Sequence, residues 1–397
     1  MGLGTMLSAW SSLRRLNRLP RSDREIVFYA ESRADWPHLG PIVEELTDRL
    51  DRSICYVTSD AEDPLLAATN PRISAFFVGS GSTRTTFFRL LDATVMVMTL
   101  PDLETFHLKR SVHPVRYVYV FHSMVSTHMI YRKGAFDAYD TILLVGPHHE
   151  AEIRRTEEVY GLEPKDLVPH GYARLDGILR TAGQPRERPL ERPPEASAGR
   201  RIVLAPSWGE CSFIEAPAGA ELIGILLDAG HTCVLRLHPM TVRRFPTLAA
   251  DLARRFGGRD FRVETDMREQ ASLHESELMV SDWSGAALDY AFGLERPVLF
   301  VDMPKKVNNP EYERIGLRTI EESIRTEIGV IVDPAALQRA LPLVEELAGD
   351  PDAFRDRLRE ARERAVYNVG RSASIGAAEV ARLADDLHRD VRARTER

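Results

Sequence analysis

The chain has 397 residues, 44% of them apolar and 28% charged, with a formal net charge of -7. That length exceeds one ordinary core and suits two α/β domains, and the acidic balance argues against a general nucleic-acid binder. Cys55, Cys211 and Cys233 are odd in number, widely spaced and without a C-x-x-C pair, so neither a disulfide framework nor a zinc site is indicated and a reducing cytoplasm fits best. No run of about 18 apolar residues and no signal-peptide pattern occurs, so neither a membrane span nor export by that route is expected.

Residues 1–24 carry Arg14, Arg15, Arg18, Arg21 and Arg24 against Asp23, while Leu3, Met6, Leu7, Trp10 and Leu13 recur at spacings of three and four. This predicts a basic amphipathic helix. Such a helix either lies in a membrane interface with its arginines toward anionic head groups or packs on its own domain; a disordered leader is the third reading.

From residue 25 to 183 short apolar runs alternate with helical stretches. Strands are predicted over 25–30, 53–58, 73–78, 93–99, 116–121 and 141–145, with a helix over 39–50. Alternation of this kind implies a parallel sheet covered on both faces. Residues 184–198 then interrupt it: four prolines and six charged residues between Gln184 and Ser197 cannot continue a helix or a central strand, so this is the expected linker. A second domain, 199–375, restarts the alternation with strands predicted over 201–205, 232–237, 261–263, 278–281 and 297–301. The region from Pro351 onward is helical in pattern with Gly370 as its break, and residues 376–397 form a final helix. The fold class read from this order is α/β, two Rossmann-like domains facing a central cleft.

Candidate chemistry sits where apolar strands end, which is where α/β proteins keep their ligands. Ser281-Asp282-Trp283-Ser284-Gly285 precedes a helical stretch. Ser281, Asp282 or Ser284 can cap that helix, leaving N–H groups and a positive dipole end for an anion, and Gly285 lets a phosphate approach closely. His238 follows Val234–Leu237 and precedes Pro239; it can donate to a phosphate oxygen, with Arg236 as a nearby cation. His122 ends the run Tyr117–Phe121, and an imidazole titrating near neutrality there suits proton abstraction from an attacking hydroxyl. His122 and His128 have no acidic partner at ligand spacing, so no metal site is expected. His148 and His149 read as a helix cap and a surface residue, because adjacent helix positions point apart.

Gly171–Asp176, Leu204-Ala205-Pro206-Ser207-Trp208, Leu237-His238-Pro239, Ser281–Ser284 and Arg296–Phe300 stand in the order and spacing of the CDP-glycerol glycerophosphotransferase family, which includes teichoic acid primases and polymerases. The resemblance spans about residues 115–305. It implies a GT-B fold, a CDP-activated polyol phosphate donor and peripheral association with the inner face of the cell membrane; no cofactor is expected, since nothing in the sequence requires a bound metal. Carried over by position, His122 is the base for the acceptor hydroxyl, His238 contacts the donor phosphates, and Ser281, Asp282 and Ser284 hold the diphosphate; Ser207, Arg236 and Gly285 are further donor-side candidates. This chain departs from the family pattern Trp-His-Gly-Thr-Pro-Leu-Lys, reading Phe121-His122-Ser123-Met124-Val125-Ser126-Thr127, and Gly285 replaces a serine. The expected function is transfer of a polyol phosphate, glycerol phosphate first, from a CDP-linked donor to a hydroxyl of a cell-surface glycan or lipid-linked acceptor with release of CMP. A nucleotide-sugar glycosyltransferase and a non-catalytic assembly subunit are the alternatives.

Overall fold

A computed structural model describes residues 3–182, 199–266 and 271–395. The expected linker at 184–198 lies outside the described residues. In the first half α1 (Leu3–Arg18) precedes β1 (Ile26–Ala30), α2 (Trp36–Glu44), β2 (Ile54–Thr58), β3 (Ile73–Phe77), α3 (Ser82–Leu90), β4 (Val95–Met98) and β5 (Arg116–Val120). Then come α4 (Thr127–Ile130), β6 (Thr141–Leu144), α5 (Pro147–Tyr160), β7 (Asp166–Pro169) and α6 (Ala173–Thr181). The second half runs β8 (Arg201–Leu204), α7 (Pro217–Asp228), β9 (Thr232–Arg236), α8 (Pro239–Arg244), α9 (Leu248–Arg255), β10 (Phe261–Glu264), α10 (Ala271–Glu275), β11 (Leu278–Ser281) and α11 (Ala286–Leu294). It closes with β12 (Val298–Val301), α12 (Ile320–Ile328), β13 (Gly329–Val332), α13 (Ala340–Gly349), α14 (Pro351–Ala365) and α15 (Ser372–Thr395).

The first sheet has seven strands in the order β3-β2-β1-β4-β5-β6-β7 and the second six in the order β10-β9-β8-β11-β12-β13. Every pairing is parallel. The order reverses between β1 and β4 and between β8 and β11, and ligands settle outside the carboxyl ends of strands at such switch points. Central strands are covered by helices on both faces, so β1, β4, β6, β8 and β11 are apolar runs buried along nearly their whole length.

The halves are not separate bodies. One continuous apolar cluster takes in Phe121, Tyr172 and Leu175 from the first domain with Ala287, Leu288 and Phe292 of α11 from the second. The final helix crosses back: Ala377, Val380 and Ala384 of α15 are buried against Ile26, Phe28, Leu39 and Val43. It begins at Ser372, a little before the expected 376, after the predicted break at Gly370, whose φ is +80°. Helix α1 lays Ala9, Leu13 and Leu16 onto the first domain. Ser12 accepts from Phe77 N, and Arg15 donates to the Ala75 carbonyl while stacking over Phe76. Met6 and Leu7 stay exposed. Among the described residues no helix is long and apolar enough to cross a membrane.

Candidate active site

The carboxyl ends of both sheets open on a cleft of about 490 Å³. His122, Ser123 and Tyr172 line it from the first domain, and Ser207, His238, Ser284 and Gly285 from the second. His122 follows β5. Its Nδ1 lies 3.2 Å from the Thr99 carbonyl oxygen and 3.4 Å from the Tyr119 hydroxyl. A carbonyl can only accept, so Nδ1 carries the proton and Nε2 keeps its lone pair. Thr99 is anchored in turn by donating its hydroxyl to Asp35 Oδ1 at 3.0 Å, and Tyr172 donates to the His122 carbonyl at 2.9 Å. The ring is open to the cleft, yet the surrounding walls strip it of bulk water; that desolvation lowers its pKa below 6.5 against the opposing pull of Asp35. The shift runs downward from the near-neutral titration expected from sequence, in the direction that favours the uncharged imidazole.

His238 has the opposite tautomer. It caps α8, its Nδ1 accepting from Met240 N at 3.0 Å, so the proton sits on Nε2 as a donor. Burial, with Lys306 second, pushes its pKa down to about 4. Lys306, which sequence reading passed over, lines the same wall with its Nζ 4.3 Å from the Trp208 ring centroid, and Trp208 lies 6.0 Å from the His238 ring. Desolvation lowers the Lys306 pKa as well. It follows β12 in the stretch Met303-Pro304-Lys305-Lys306, so the strand-end rule that exposed the histidines could have found it. Arg174 and Asp289 were also missed as cleft residues; they form a 2.8 Å ion pair joining α6 to α11 across the domains.

Several expected donor contacts take other roles. Ser281 and Asp282 are buried and do not line the cleft: Ser281 donates to the Ala205 carbonyl, and Asp282 accepts from Ser207 N at 2.8 Å and Phe213 N at 3.2 Å. They fasten the β8 loop that presents Ser207 and Trp208. Arg236 reaches the cleft wall, but its Nη1 is held by Glu264 at 2.6 Å and by Ser272, so its charge is already compensated. Ser284 and Gly285 open α11 toward the cleft, with Ser284 Oγ 3.4 Å from Ala286 N, and the first-turn N–H groups and dipole favour an anion there. Gly285 also makes room for protein: a Cβ on it would stand 2.6 Å from Ser123 Oγ of the opposite wall. His148 and His149 are no surface pair; their Nε2 atoms hold the Met124 and Val125 carbonyls, both at 2.9 Å. Among the described residues no group of three or more His, Cys, Asp or Glu side chains could hold a metal ion.

Two parallel-sheet α/β domains facing a cleft define a protein of GT-B architecture. The chain belongs to the CDP-glycerol:poly(glycerophosphate) glycerophosphotransferase family, whose profile matches residues 104–307, just over half of it. It is similar to the solved wall teichoic acid polymerase TagF, at 12% identity over 98% of this chain and 99% of that one, with a TM-score of 0.55. It is also similar to UDP-bound MnaA of S. aureus (12% identity, 88% and 94% covered, TM-score 0.58) and to a putative UDP-N-acetylglucosamine 2-epimerase from Listeria monocytogenes (12%, 88% and 94%, 0.56). At such identities the likeness is one of fold. No curated protein matches the chain.

Proposed function

We propose that this transferase moves glycerol phosphate, or a related polyol phosphate, from a CDP-linked donor to a hydroxyl of a cell-surface glycan or lipid-linked acceptor, releasing CMP. The observation that carries this reading is the pair of complementary tautomers facing one cleft, His122 with a free Nε2 lone pair and His238 with an Nε2–H. The acceptor hydroxyl gives its proton to His122 Nε2 as its oxygen attacks the polyol-bearing phosphorus. The bond from that phosphorus to the bridging oxygen breaks, and its electrons leave on CMP. His238 Nε2–H, the Lys306 ammonium and the start of α11 offset the charge gathering on the leaving phosphate. The His122 imidazolium then loses its proton to water.

We infer that the reaction takes place at the inner face of the cytoplasmic membrane. Met6 and Leu7 are exposed on α1, as are Arg14 and Arg18, a combination suited to anionic head groups.

Product analysis by mass spectrometry tests the chemistry, with CDP-glycerol, CDP-ribitol and nucleotide sugars offered alongside a lipid-linked or short oligosaccharide acceptor. The expected result is an acceptor heavier by one polyol phosphate plus CMP, reduced roughly 100-fold or more in His122→Ala. Release of a nucleoside diphosphate would make it a nucleotide-sugar glycosyltransferase, and binding of donor without turnover would make it an assembly subunit. Cosedimentation with anionic vesicles, lost in an Arg14/Arg18→Ala variant, tests the membrane contact.

A further inference from the structure

The loop that follows His122 is held almost atom by atom. Besides the two histidines of α5 on the Met124 and Val125 carbonyls, Glu152 of α5 accepts from Thr127 N and from Thr127 Oγ1 at 2.6 Å. Those three grips come from the domain that carries His122. Others come from the opposite domain: Asn309 Nδ2 donates to the His128 carbonyl at 2.9 Å, the Asn308 and Asn309 amides donate to the Met129 carbonyl, His128 Nε2 meets the Leu317 carbonyl at 3.2 Å, and, nearest to His122 along the chain, Glu321 Oε1 accepts from Ser126 N at 3.0 Å and Ser126 Oγ at 3.3 Å. Glu321 lies in the first turn of α12, is buried, and falls beyond the segment 104–307 that the family profile matches.

The geometry leaves little slack. Ser126 stands four positions after His122, and the carbonyls at 124 and 125 between them are held as well, so the grips on 124, 125 and 126 together fix the course of the chain back to His122. Ser123 is already in close approach to Gly285. A general base loses efficiency steeply when misplaced by an ångström.

We propose that Glu321 is a positioning residue through which the second domain sets the base, its carboxylate fixing Ser126 and thereby the backbone that carries His122. The base is in place only while the domains keep the spacing that lets α12 reach Ser126. The kinetic part of this inference rests on the transfer reading above; its structural part does not.

The test uses the full chain as wild type, Glu321→Ala, Glu321→Gln and Glu321→Asp. Hydrogen–deuterium exchange without ligand should rise at least tenfold at the amides of 123–131 in Glu321→Ala, with β8, β9 and β11 unchanged. With CDP-glycerol, kcat should fall about 10- to 100-fold while the donor KM stays within about twofold. Gln, whose oxygen still accepts from Ser126, should recover most of kcat. Asp keeps the charge but withdraws it by a methylene and should not. If Ala fails to fold, the order of Gln above Asp still decides the question. Unchanged exchange at 123–131, or a lowered melting temperature with kcat intact, or Asp at least as active as Gln would overturn the proposal and leave Glu321 a helix cap. If wild type itself does not use CDP-glycerol, the transfer reading fails while the exchange result still decides this one.

Discussion

Lys306 lines the cleft wall beside Trp208 and His238, and its removal tests the phosphate site. A hydrogen bond to a charged group contributes about 1.5–3 kcal/mol, so Lys306→Ala should weaken CMP or CDP-glycerol binding by roughly 10- to 100-fold in calorimetry. A change below threefold would remove it from the phosphate site. The seam between Ser123 and Gly285 makes a second test. The family pattern has glycine after its first histidine and serine at the place of Gly285, and this chain reverses both. Since a Cβ at 285 would meet Ser123 Oγ at 2.6 Å, the two departures fit one another: a side chain at 285 would displace the Ser123 hydroxyl. Gly285→Ser should cut kcat/KM about tenfold or more, and adding Ser123→Gly should restore it to within a few-fold, a coupling that a double-mutant cycle measures directly. A double variant no better than the single one would show that the seam is not the cause. At this scale the strand-end placement of His122 and His238 was legible in the sequence, because an apolar run followed by a polar residue or proline marks where a buried strand surfaces. That Ser281 and Asp282 face inward was not, since a capping residue and a ligand-binding residue share the same composition.

Among the elements, α15 depends on a motif residue with no part in the cleft. Asp176 of α6 accepts from Gly370 N at 2.6 Å, Ser372 N at 3.0 Å and Ser372 Oγ, capping the helix that crosses back onto the first domain. Gly171, at φ +104°, admits the same crossing segment: a Cβ there would lie 2.4 Å from the Tyr367 carbonyl oxygen. Asp176→Ala should cost about 1.5–3 kcal/mol in urea unfolding and open the chain to protease near residues 366–371, with CMP affinity unchanged. A loss of CMP affinity without loss of stability would instead place Asp176 at the ligand. The long apolar strands were readable in order and nearly to the residue. Two edge strands were not: β7, Asp166–Pro169, is half exposed and only four residues long, and β13 follows α12 with no turn between them, Gly329 ending one and starting the other. An edge strand needs neither a continuous apolar run nor clear punctuation, so periodicity does not mark it.

For the whole molecule the buried histidines set the response to acid. Burial lowers the pKa of His38, His122, His148, His149, His170 and His238, the last two to about 4. Between pH 7 and 5 the unfolded chain therefore binds protons there that the folded chain refuses, and stability falls as pH falls. Glu321 works the other way: burial raises it to about 7, so it binds its proton in the folded state first and gains stability over the same window. Burial lowers His231 as well, while His128, Asp282 and Asp289 are raised as Glu321 is; the lowered histidines outnumber these and give a net loss. Calorimetry should show a melting temperature lower by roughly 5 °C or more at pH 5 than at pH 7; a higher one would mean the histidines are hydrated in solution. Chain length, alternating apolar runs and strand-end motifs by themselves determined two parallel-sheet domains, their strand order in sequence and the two histidines of the cleft, because burial of a central strand writes a continuous local pattern. Only the tertiary structure decided which tautomer each histidine holds, that Lys306 joins them, that Ser281 and Asp282 turn inward, and that Glu321 reaches the loop of the other domain. Each of those depends on contacts between residues tens to hundreds of positions apart, which no local pattern encodes.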